Sequence, residues 1–240
     1  MVLVEAVVTD TLPVAEVYGP VYQGEGPHTG RPAWFVRLGL CNLHCSWCDT
    51  PYTWDTAFFD VTAECPPTTP EQVAAQITDP DTLVVLTGGE PLIHQGTDAL
   101  RRLLGLLRNP VHVETNGTLS PVPWLVERVE FFAVSPKVNP QGDPSGRRIH
   151  LGALAKFARL ARTGHAAFKV VCRDPQEVAM VVEWADGIGV PRNALWVMPE
   201  GTDANTVTVR ARAMEQTALD HRVSLTLRTH VLLHGKERRR

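Results

Sequence analysis

The sequence lacks the features that mark a membrane, secreted or nucleic-acid-binding protein. Its first residues have neither a basic segment nor a long apolar run, so they do not form a signal peptide, and no apolar run reaches membrane-spanning length. The cysteine count is five, an odd number, and with no secretion signal we expect reduced thiols in the cytoplasm. The net charge is only −3, which predicts no nucleic-acid partner.

The sequence also lacks internal repeats and low-complexity segments. Its 240 residues are enough for one sizeable domain or two small ones, and because nothing marks a second, we predict a single domain over residues 1–240. Residues 53–69 contain two adjacent prolines and no clear period, so we expect a loop or insertion. Residues 235–240 carry a short basic run, which predicts a solvated, disordered tail.

Apolar runs rich in β-branched residues alternate with helical stretches, a pattern typical of parallel strands joined by helices. Polar, glycine-rich motifs follow the predicted strands, where parallel α/β barrels and sheets place their active sites. The pattern alone fits a flat doubly wound sheet nearly as well as an incomplete (β/α) barrel. We predict strands at residues 33–40, 82–87, 111–114, 131–134, 166–172, 194–198 and 223–227, and helices at residues 69–78, 95–108, 151–161, 175–185 and 203–221.

Three of the five cysteines, Cys41, Cys45 and Cys48, lie within eight residues. Thiolates are soft ligands that select zinc, copper(I) or iron–sulfur clusters. A structural zinc site takes four ligands and a [4Fe–4S] cluster usually takes four cysteines, so three cysteines leave one position open for chemistry or filled from elsewhere. A disulfide with a spare thiol, or a zinc site that also uses His44, remains an alternative.

The C-x3-C-x2-C spacing resembles the cluster motif of the radical S-adenosylmethionine (SAM) superfamily. Its flanks are Q-G-E-G at residues 23–26, F-V-R at residues 35–37 and C-D-T at residues 48–50. Together they resemble the 7-carboxy-7-deazaguanine synthase family of that superfamily. The resemblance implies an incomplete (β/α) barrel of about six parallel core strands, with a [4Fe–4S] cluster on the three cysteines, SAM and Mg²⁺ as cofactors.

The resemblance also implies which residues bind SAM, although each motif by itself is as typical of a turn or of a surface lysine. G-G-E-P follows the second predicted strand, E-T-N-G the third and S-P-K the fourth. In resembling families these positions contact the amino group, the ribose and other parts of SAM. The implied cofactor-binding residues are Gly88, Gly89, Glu90, Thr115, Asn116, Ser135 and Lys137.

The implied substrate-binding residues are Gln23, Glu25, Arg37 and His230, and the implied Mg²⁺ ligand is Thr50. Arg37 lies in an apolar run, where an unpaired charge is costly. From the residues alone, an internal salt bridge and a bound substrate carboxylate are equally good partners for it. Arg228 departs from the family, which has glutamine before the T-H pair.

The resemblance implies that the enzyme converts 6-carboxy-5,6,7,8-tetrahydropterin to 7-carboxy-7-deazaguanine with loss of ammonia. It implies a small pterin substrate, an electron donor such as flavodoxin or ferredoxin, and a homodimer, with no nucleic-acid or membrane partner. Two alternatives remain: an activase that installs a glycyl radical on a partner protein, and a zinc or iron–sulfur module without enzymatic activity.

Overall fold

A computed structural model of the chain describes residues 10–139, 142–235 and 237–239. Nine strands in these residues form one sheet, in the order β3-β1-β2-β4-β5-β6-β7-β8-β9. The strands are β1 (Leu12–Tyr22), β2 (Pro32–Leu38), β3 (Pro67–Thr68), β4 (Leu83–Gly88), β5 (Val111–Thr115), β6 (Phe131–Val134), β7 (Ala166–Cys172), β8 (Leu195–Pro199) and β9 (Ser224–Leu225).

Nine α-helices in the same residues connect or follow the strands. Several begin as the sequence predicts: the Thr69 hydroxyl accepts a hydrogen bond from the Gln72 N–H, and Pro70 occupies the first turn. The helices are α1 (Val61–Glu64), α2 (Pro70–Ala74), α3 (Asp98–Leu106), α4 (Pro123–Arg128), α5 (Ser145–Arg148), α6 (Leu151–Arg162), α7 (Pro175–Ile188), α8 (Ala204–Asp220) and α9 (Thr229–His234). None of the described helices is long and apolar enough to cross a membrane.

The strand order decides between the two architectures that the sequence left open. From β2 onward, each strand pairs in parallel with the next parallel strand along the chain, and the order never reverses. A doubly wound sheet requires such a reversal, so that alternative is wrong. Within the described residues β3 and β9 do not pair with each other, and the barrel is therefore open. The prediction of an incomplete barrel with about six parallel core strands is confirmed.

The two faces of the sheet have different roles, because successive side chains on a strand point to opposite faces. One face packs against the helices and forms the main apolar core, with contributions such as Val36, Leu86, Val113 and Phe168. The other face carries polar side chains near the carboxyl ends of the strands, which are Arg37, Thr87, Glu114 and Lys169. The sheet thus places its polar groups on the face that the helices leave open.

The structure differs from the sequence prediction in the short helices α4, α5 and α9, which were not predicted, and in three further segments. Residues 53–69 are not only a loop, because they contain α1, capped by the Asp60 carboxylate, and β3, which pairs with β1. The strand β1 was not predicted at all. It pairs antiparallel with β2 and its register has two irregularities, which blur the alternation that sequence reading depends on.

The basic tail is the third difference. Residues 236 and 240 lie outside the described residues, but Arg238 is ordered against the sheet: its Nε donates to Oε1 of Glu16 at 2.9 Å. Its guanidinium also lies 3.8 Å from the ring centroid of Tyr52. The prediction of a disordered tail is therefore wrong for Arg238, because a buried carboxylate and an aromatic ring hold this residue in place.

Candidate active site

A cavity of about 540 Å³ opens at the carboxyl ends of the parallel strands. Its volume falls within the range of roughly 300–1,000 Å³ that is typical of ligand pockets. Every predicted site residue except Glu90 lines it: Gln23, Glu25, Arg37, Cys41, Cys45, Cys48, Thr50, Gly88, Gly89, Thr115, Asn116, Ser135, Lys137 and His230.

The three cysteines of the loop after β2 are free thiols at one side of this cavity. The indole N–H of Trp54 donates to Sγ of Cys48 at 3.3 Å, and the backbone N–H of Leu43 lies 3.5 Å from Sγ of Cys41. Burial raises the pKa of the Cys41 thiol to about 12, so its thiolate needs positive charge nearby, which a metal supplies. Half-buried thiols with N–H donors on sulfur fit an iron–sulfur cluster.

The zinc alternative requires His44 to join the three cysteines. Among the described residues no group of three or more His, Cys, Asp or Glu side chains is arranged to hold a metal ion. His44 instead lies beside Asp143, with its Nδ1 3.6 Å from the carboxylate and its backbone N–H donating to the other oxygen at 2.5 Å. A [4Fe–4S] cluster does not require the three thiolates to meet at one ion, because each thiolate binds a different iron.

Glu90 has a different place from the one predicted. Its side chain is fully buried, and its carboxylate accepts from the N–H of Leu92 at 3.0 Å, from the Thr115 hydroxyl at 2.8 Å and from the N–H of Asn116 at 2.7 Å. Both oxygens are thus occupied within the protein, and the carboxylate does not line the cavity. In this structure Glu90 positions the E-T-N-G turn after β5.

The cysteine loop is held against its neighbours through backbone and amide contacts. Leu40 has a positive φ of 70°, and its carbonyl accepts from the N–H of Glu90 at 2.8 Å. A side chain at Gly89 would place its Cβ 2.0 Å from that same carbonyl, so only glycine fits there. The amide of Asn116 donates to Oδ1 of Asn42 at 2.9 Å. The G-G-E-P and E-T-N-G turns, which were predicted to bind SAM, therefore also hold the cysteine loop in place.

Ser135 and Lys137 follow β6 on the cysteine side of the cavity. The Lys137 ammonium donates to the Ser135 hydroxyl at 3.1 Å and lies 5.4 Å from the ring centroid of Trp47, which is in the cysteine loop. The backbone N–H of Ser135 donates to the Thr115 carbonyl at 2.7 Å. The predicted polar ends of β5 and β6 are thus adjacent in space.

Glu25 is the centre of a charged network that also lines the cavity. Its carboxylate accepts from the Lys169 ammonium and from Nε of Arg228 at 2.9 Å, and Nε2 of His230 lies 3.8 Å away. Burial alone would raise the pKa of Glu25, but Lys169 and Arg228 outweigh it and hold the pKa well below its usual range. Glu25 is therefore ionised and accepts hydrogen bonds at neutral pH.

Two members of this network were missed at the sequence level. Lys169 on β7 is almost fully buried and also contacts Glu114, whose carboxylate accepts from the Thr87 hydroxyl at 2.9 Å and from the Gln23 amide at 3.3 Å. The signal was present: a lone lysine in an apolar strand needs an anion, as Arg37 does. In the sequence analysis Glu114 appeared only as the glutamate of the E-T-N-G motif, without a predicted role.

Arg37 pairs with an internal acid. Its Nε donates to Oε2 of Glu16 at 2.9 Å and its Nη2 donates to the Tyr18 hydroxyl at 3.3 Å. This is the salt bridge that the sequence left open as one alternative. The side chain also lines the cavity and remains 16% exposed, so the pairing leaves part of the guanidinium accessible to a ligand.

Asp49 and Thr50 connect the cysteine loop to the charged network. The Asp49 carboxylate accepts from Nη2 of Arg228, whose Nη1 donates to the Gly201 carbonyl at 2.7 Å. The Thr50 hydroxyl lies 3.7 Å from Sγ of Cys48 and lines the cavity. Arg228, the departure from the family pattern, thus bridges the loop before β2 and the loop after it.

Comparisons with known proteins agree with this arrangement. The profile of the radical SAM superfamily matches residues 36–138. The 7-carboxy-7-deazaguanine synthase of Hyperthermus butylicus is 35% identical over 228 residues, which are 92% of this chain and 92% of the relative. That of Pyrobaculum aerophilum is 33% identical over 235 residues, 96% of this chain and 98% of the relative.

A solved structure is similar over nearly the whole chain. The crystal structure of QueE from Escherichia coli matches with a TM-score of 0.65 and 25% identity, and covers 92% of this chain and 95% of its own. Since relatives above 30% identity are covered over almost their full length, the chain belongs to the 7-carboxy-7-deazaguanine synthase family of the radical SAM superfamily.

Proposed function

We propose that the protein converts 6-carboxy-5,6,7,8-tetrahydropterin to 7-carboxy-7-deazaguanine and ammonia. Membership of the radical SAM superfamily implies a [4Fe–4S] cluster and SAM. When bound, they supply a carbon radical that abstracts hydrogen from the substrate. The observation that carries the proposal is that one cavity is lined both by three thiols and by buried ionised groups.

The cofactor side of the proposal uses the residues after β2, β4, β5 and β6. Cys41, Cys45 and Cys48 would hold the cluster and leave one iron for SAM. Glycine at position 89 lets this turn lie against the Leu40 carbonyl at the start of the cysteine loop. The remaining groups proposed to bind SAM are Gly88, Glu90, Thr115, Asn116, Ser135 and Lys137; Glu90 would do so only by exchanging one of its internal hydrogen bonds.

The substrate side uses the charged network. Glu25, kept ionised by Lys169 and Arg228, would accept from adjacent N–H groups of the pterin, while Gln23 and His230 contact its other polar edges. Arg37 would bind the carboxylate with the part of its guanidinium that Glu16 leaves exposed. Burial of these groups favours strong rejection of analogues that lack a matching polar group.

Product and ammonia together contain every atom of the substrate, so net turnover needs no external oxidant or reductant. This balance would allow SAM to act as a true cofactor that is not consumed in net turnover. An electron donor such as flavodoxin or ferredoxin is still required to reduce the cluster initially. We further propose that Mg²⁺ binds beside the Thr50 hydroxyl, which lies 3.7 Å from Sγ of Cys48 and lines the cavity.

Three features of the proposal are independent of the chemistry. A homodimer is proposed from the family resemblance. A cytoplasmic location is proposed because all five cysteines are unpaired. A single domain is proposed because the nine described strands form one sheet.

The test is anaerobic reconstitution with iron and sulfide, followed by incubation with SAM, Mg²⁺, a one-electron reductant and 6-carboxy-5,6,7,8-tetrahydropterin. We expect 7-carboxy-7-deazaguanine by mass spectrometry, without one equivalent of 5′-deoxyadenosine per product. Alanine at Cys41, Cys45 or Cys48 should abolish SAM cleavage, whereas Cys65→Ala, which changes a buried cysteine that does not line the cavity, should not. Stoichiometric zinc without labile sulfide would contradict the proposal.

A further inference from the structure

The segment that follows α9 forms part of the cavity wall near Arg37. Helix α9 ends at Gly235, which has a positive φ of 62°, and the chain then runs toward the amino-terminal half of β1. Gly235, Glu237 and Arg238 all line the cavity. The carboxyl-terminal residues therefore border the same space as the proposed substrate groups.

Arg238 is fixed there by three contacts to three different segments. Its Nε donates to Oε1 of Glu16 on β1 at 2.9 Å, and its Nη2 donates to Oε2 of Glu64 at 3.2 Å. Its guanidinium stacks 3.8 Å from the ring centroid of Tyr52. A planar guanidinium can satisfy a carboxylate and an aromatic face together, which a lysine does less well.

The carboxylate of Glu16 connects Arg238 to Arg37. Glu16 is 1% exposed, and its two oxygens are divided: Oε1 accepts from Arg238, while Oε2 accepts from Arg37 at 2.9 Å and from the Tyr52 hydroxyl at 3.2 Å. One buried negative charge thus lies between two guanidinium groups. Without Arg238, the two carboxylates of Glu16 and Glu64 would exceed the single charge of Arg37; with it, two guanidinium groups balance two carboxylates beside the cavity.

We propose that Arg238 is a positioning residue that sets selectivity for a carboxylated substrate by sharing Glu16 with Arg37. The inference rests on the proposed function, because it assigns the substrate carboxylate to Arg37. Arg238 acts through Glu16: it takes up part of the charge of Glu16, and Arg37 keeps enough positive charge to attract a second carboxylate. The pterin ring and its amide edges contact other groups, so their binding is not affected.

The experiment measures the affinity of the reconstituted holoenzyme with SAM for two ligands, 6-carboxy-5,6,7,8-tetrahydropterin and the same pterin without its carboxylate. Arg238→Gln keeps a polar, though shorter, side chain and removes the charge. We expect it to weaken binding of the carboxylated pterin about three- to fivefold, the size expected for a partly exposed ion pair, and to leave binding of the other ligand unchanged. Arg238→Lys should restore part of the loss.

Arg239→Gln is the matched control, because it removes the same charge one residue further on. Arg239 is 62% exposed, and its Nε lies 3.7 Å from Oε1 of Glu16, beyond hydrogen-bond distance. We expect Arg239→Gln to change the affinity for the carboxylated pterin less than twofold. In an Arg37→Ala background, Arg238→Gln should have no additional effect on the carboxylated ligand, because the group through which it acts is gone.

The outcomes separate this inference from the function on which it rests. If the wild-type holoenzyme binds and converts neither pterin, the proposed function is wrong. If the wild type discriminates between the ligands and Arg238→Gln weakens both equally, Arg238 is only structural and the inference is wrong. Equal effects of Arg238→Gln and Arg239→Gln would also overturn it, since they would reflect the overall charge of the tail.

Discussion

Lys169 is a buried cation between two carboxylates, and its removal is a sharp test of the charged network. Its side chain is 6% exposed, against 11% for Glu25 and 22% for Glu114. Burial alone would lower the pKa of Lys169, but Glu114 and Glu25 outweigh it and raise the pKa. The lysine is therefore charged throughout the range in which the protein is handled, and Lys169→Met removes one full positive charge.

The size of the loss of stability follows from the hydrogen-bond and charge partners that each carboxylate keeps. Glu25 keeps Arg228 at 2.9 Å, whereas among the described residues Glu114 keeps the neutral donors of Thr87 and Gln23. Removing one partner of a buried pair costs about 3–5 kcal/mol, and because Arg228 compensates Glu25, we expect a loss near the lower end, about 3 kcal/mol. For a chain of this size, that loss corresponds to a fall in melting temperature of roughly 6–12 °C.

The stability lost in Lys169→Met should depend on pH in a defined direction. In the wild type the pKa of Glu25 is held well below its usual range, so its contribution to stability is present above about pH 4.5 and is lost as the pH falls further. Without Lys169, burial is opposed only by Arg228 and His230, and the pKa of Glu25 rises. The difference in melting temperature between wild type and Lys169→Met should therefore be larger at pH 8 than at pH 5.

Thermal unfolding of the reconstituted proteins at pH 5, 6.5 and 8 provides the measurement. Lys156→Met is the control, because Lys156 lies on the exposed side of α6 and its loss should change stability by less than about 0.5 kcal/mol. The double variant Lys169→Met with Glu114→Gln should regain part of the lost stability, since it removes the uncompensated carboxylate. A loss that is independent of pH and unchanged by Glu114→Gln would refute the electrostatic reasoning.

Three further predictions concern single positions. Thr50→Val keeps the shape of the side chain and removes its oxygen, so turnover should fall and respond less to Mg²⁺ in a titration; an unchanged response would contradict the assignment. Gly89→Ala should displace the cluster loop and lower the iron content after reconstitution, whereas Gly105→Ala, which meets no atom within 4 Å in α3, should be neutral or stabilising by up to about 1 kcal/mol. Burial lowers the pKa of His112 to about 4, so the folded state needs its neutral form, and stability should fall by about 2 kcal/mol from pH 6.5 to pH 5. His112→Phe should flatten that decline in a denaturant titration, and an equally steep decline in the variant would show that other groups cause it.

The parallel core was predictable because each of its strands has a local signature. Residues 131–134 and 166–172 were predicted with the bounds that the structure has, and the bounds of the other core strands differ by at most two residues. Buried parallel strands read as short apolar runs bounded by polar turns, and both features are local in sequence. In contrast, β1 was missed because its pairing with β2 is irregular and only half of its residues face the core.

The pairing of Arg37 could be predicted only in part from the chemistry of the residue. The cost of an unpaired buried charge required an anion, but it could not say which one. The antiparallel register of β1 and β2 places Glu16 directly opposite Arg37, and this cross-strand position decides the pairing. The same rule applied to Lys169 would have added a network residue, although it would not have named Glu25 or Glu114.

The sequence by itself determined that three thiols lie close together, because Cys41, Cys45 and Cys48 are within eight residues. It also determined that polar turns follow the parallel strands and so share one edge of the sheet. The tertiary structure alone decided how the charges pair. Glu25 meets Lys169 from 144 positions away and Arg228 from 203, and Arg238 reaches Glu16 across 222. No local period encodes such contacts; they exist only once the sheet has brought its first and last strands to the same cavity.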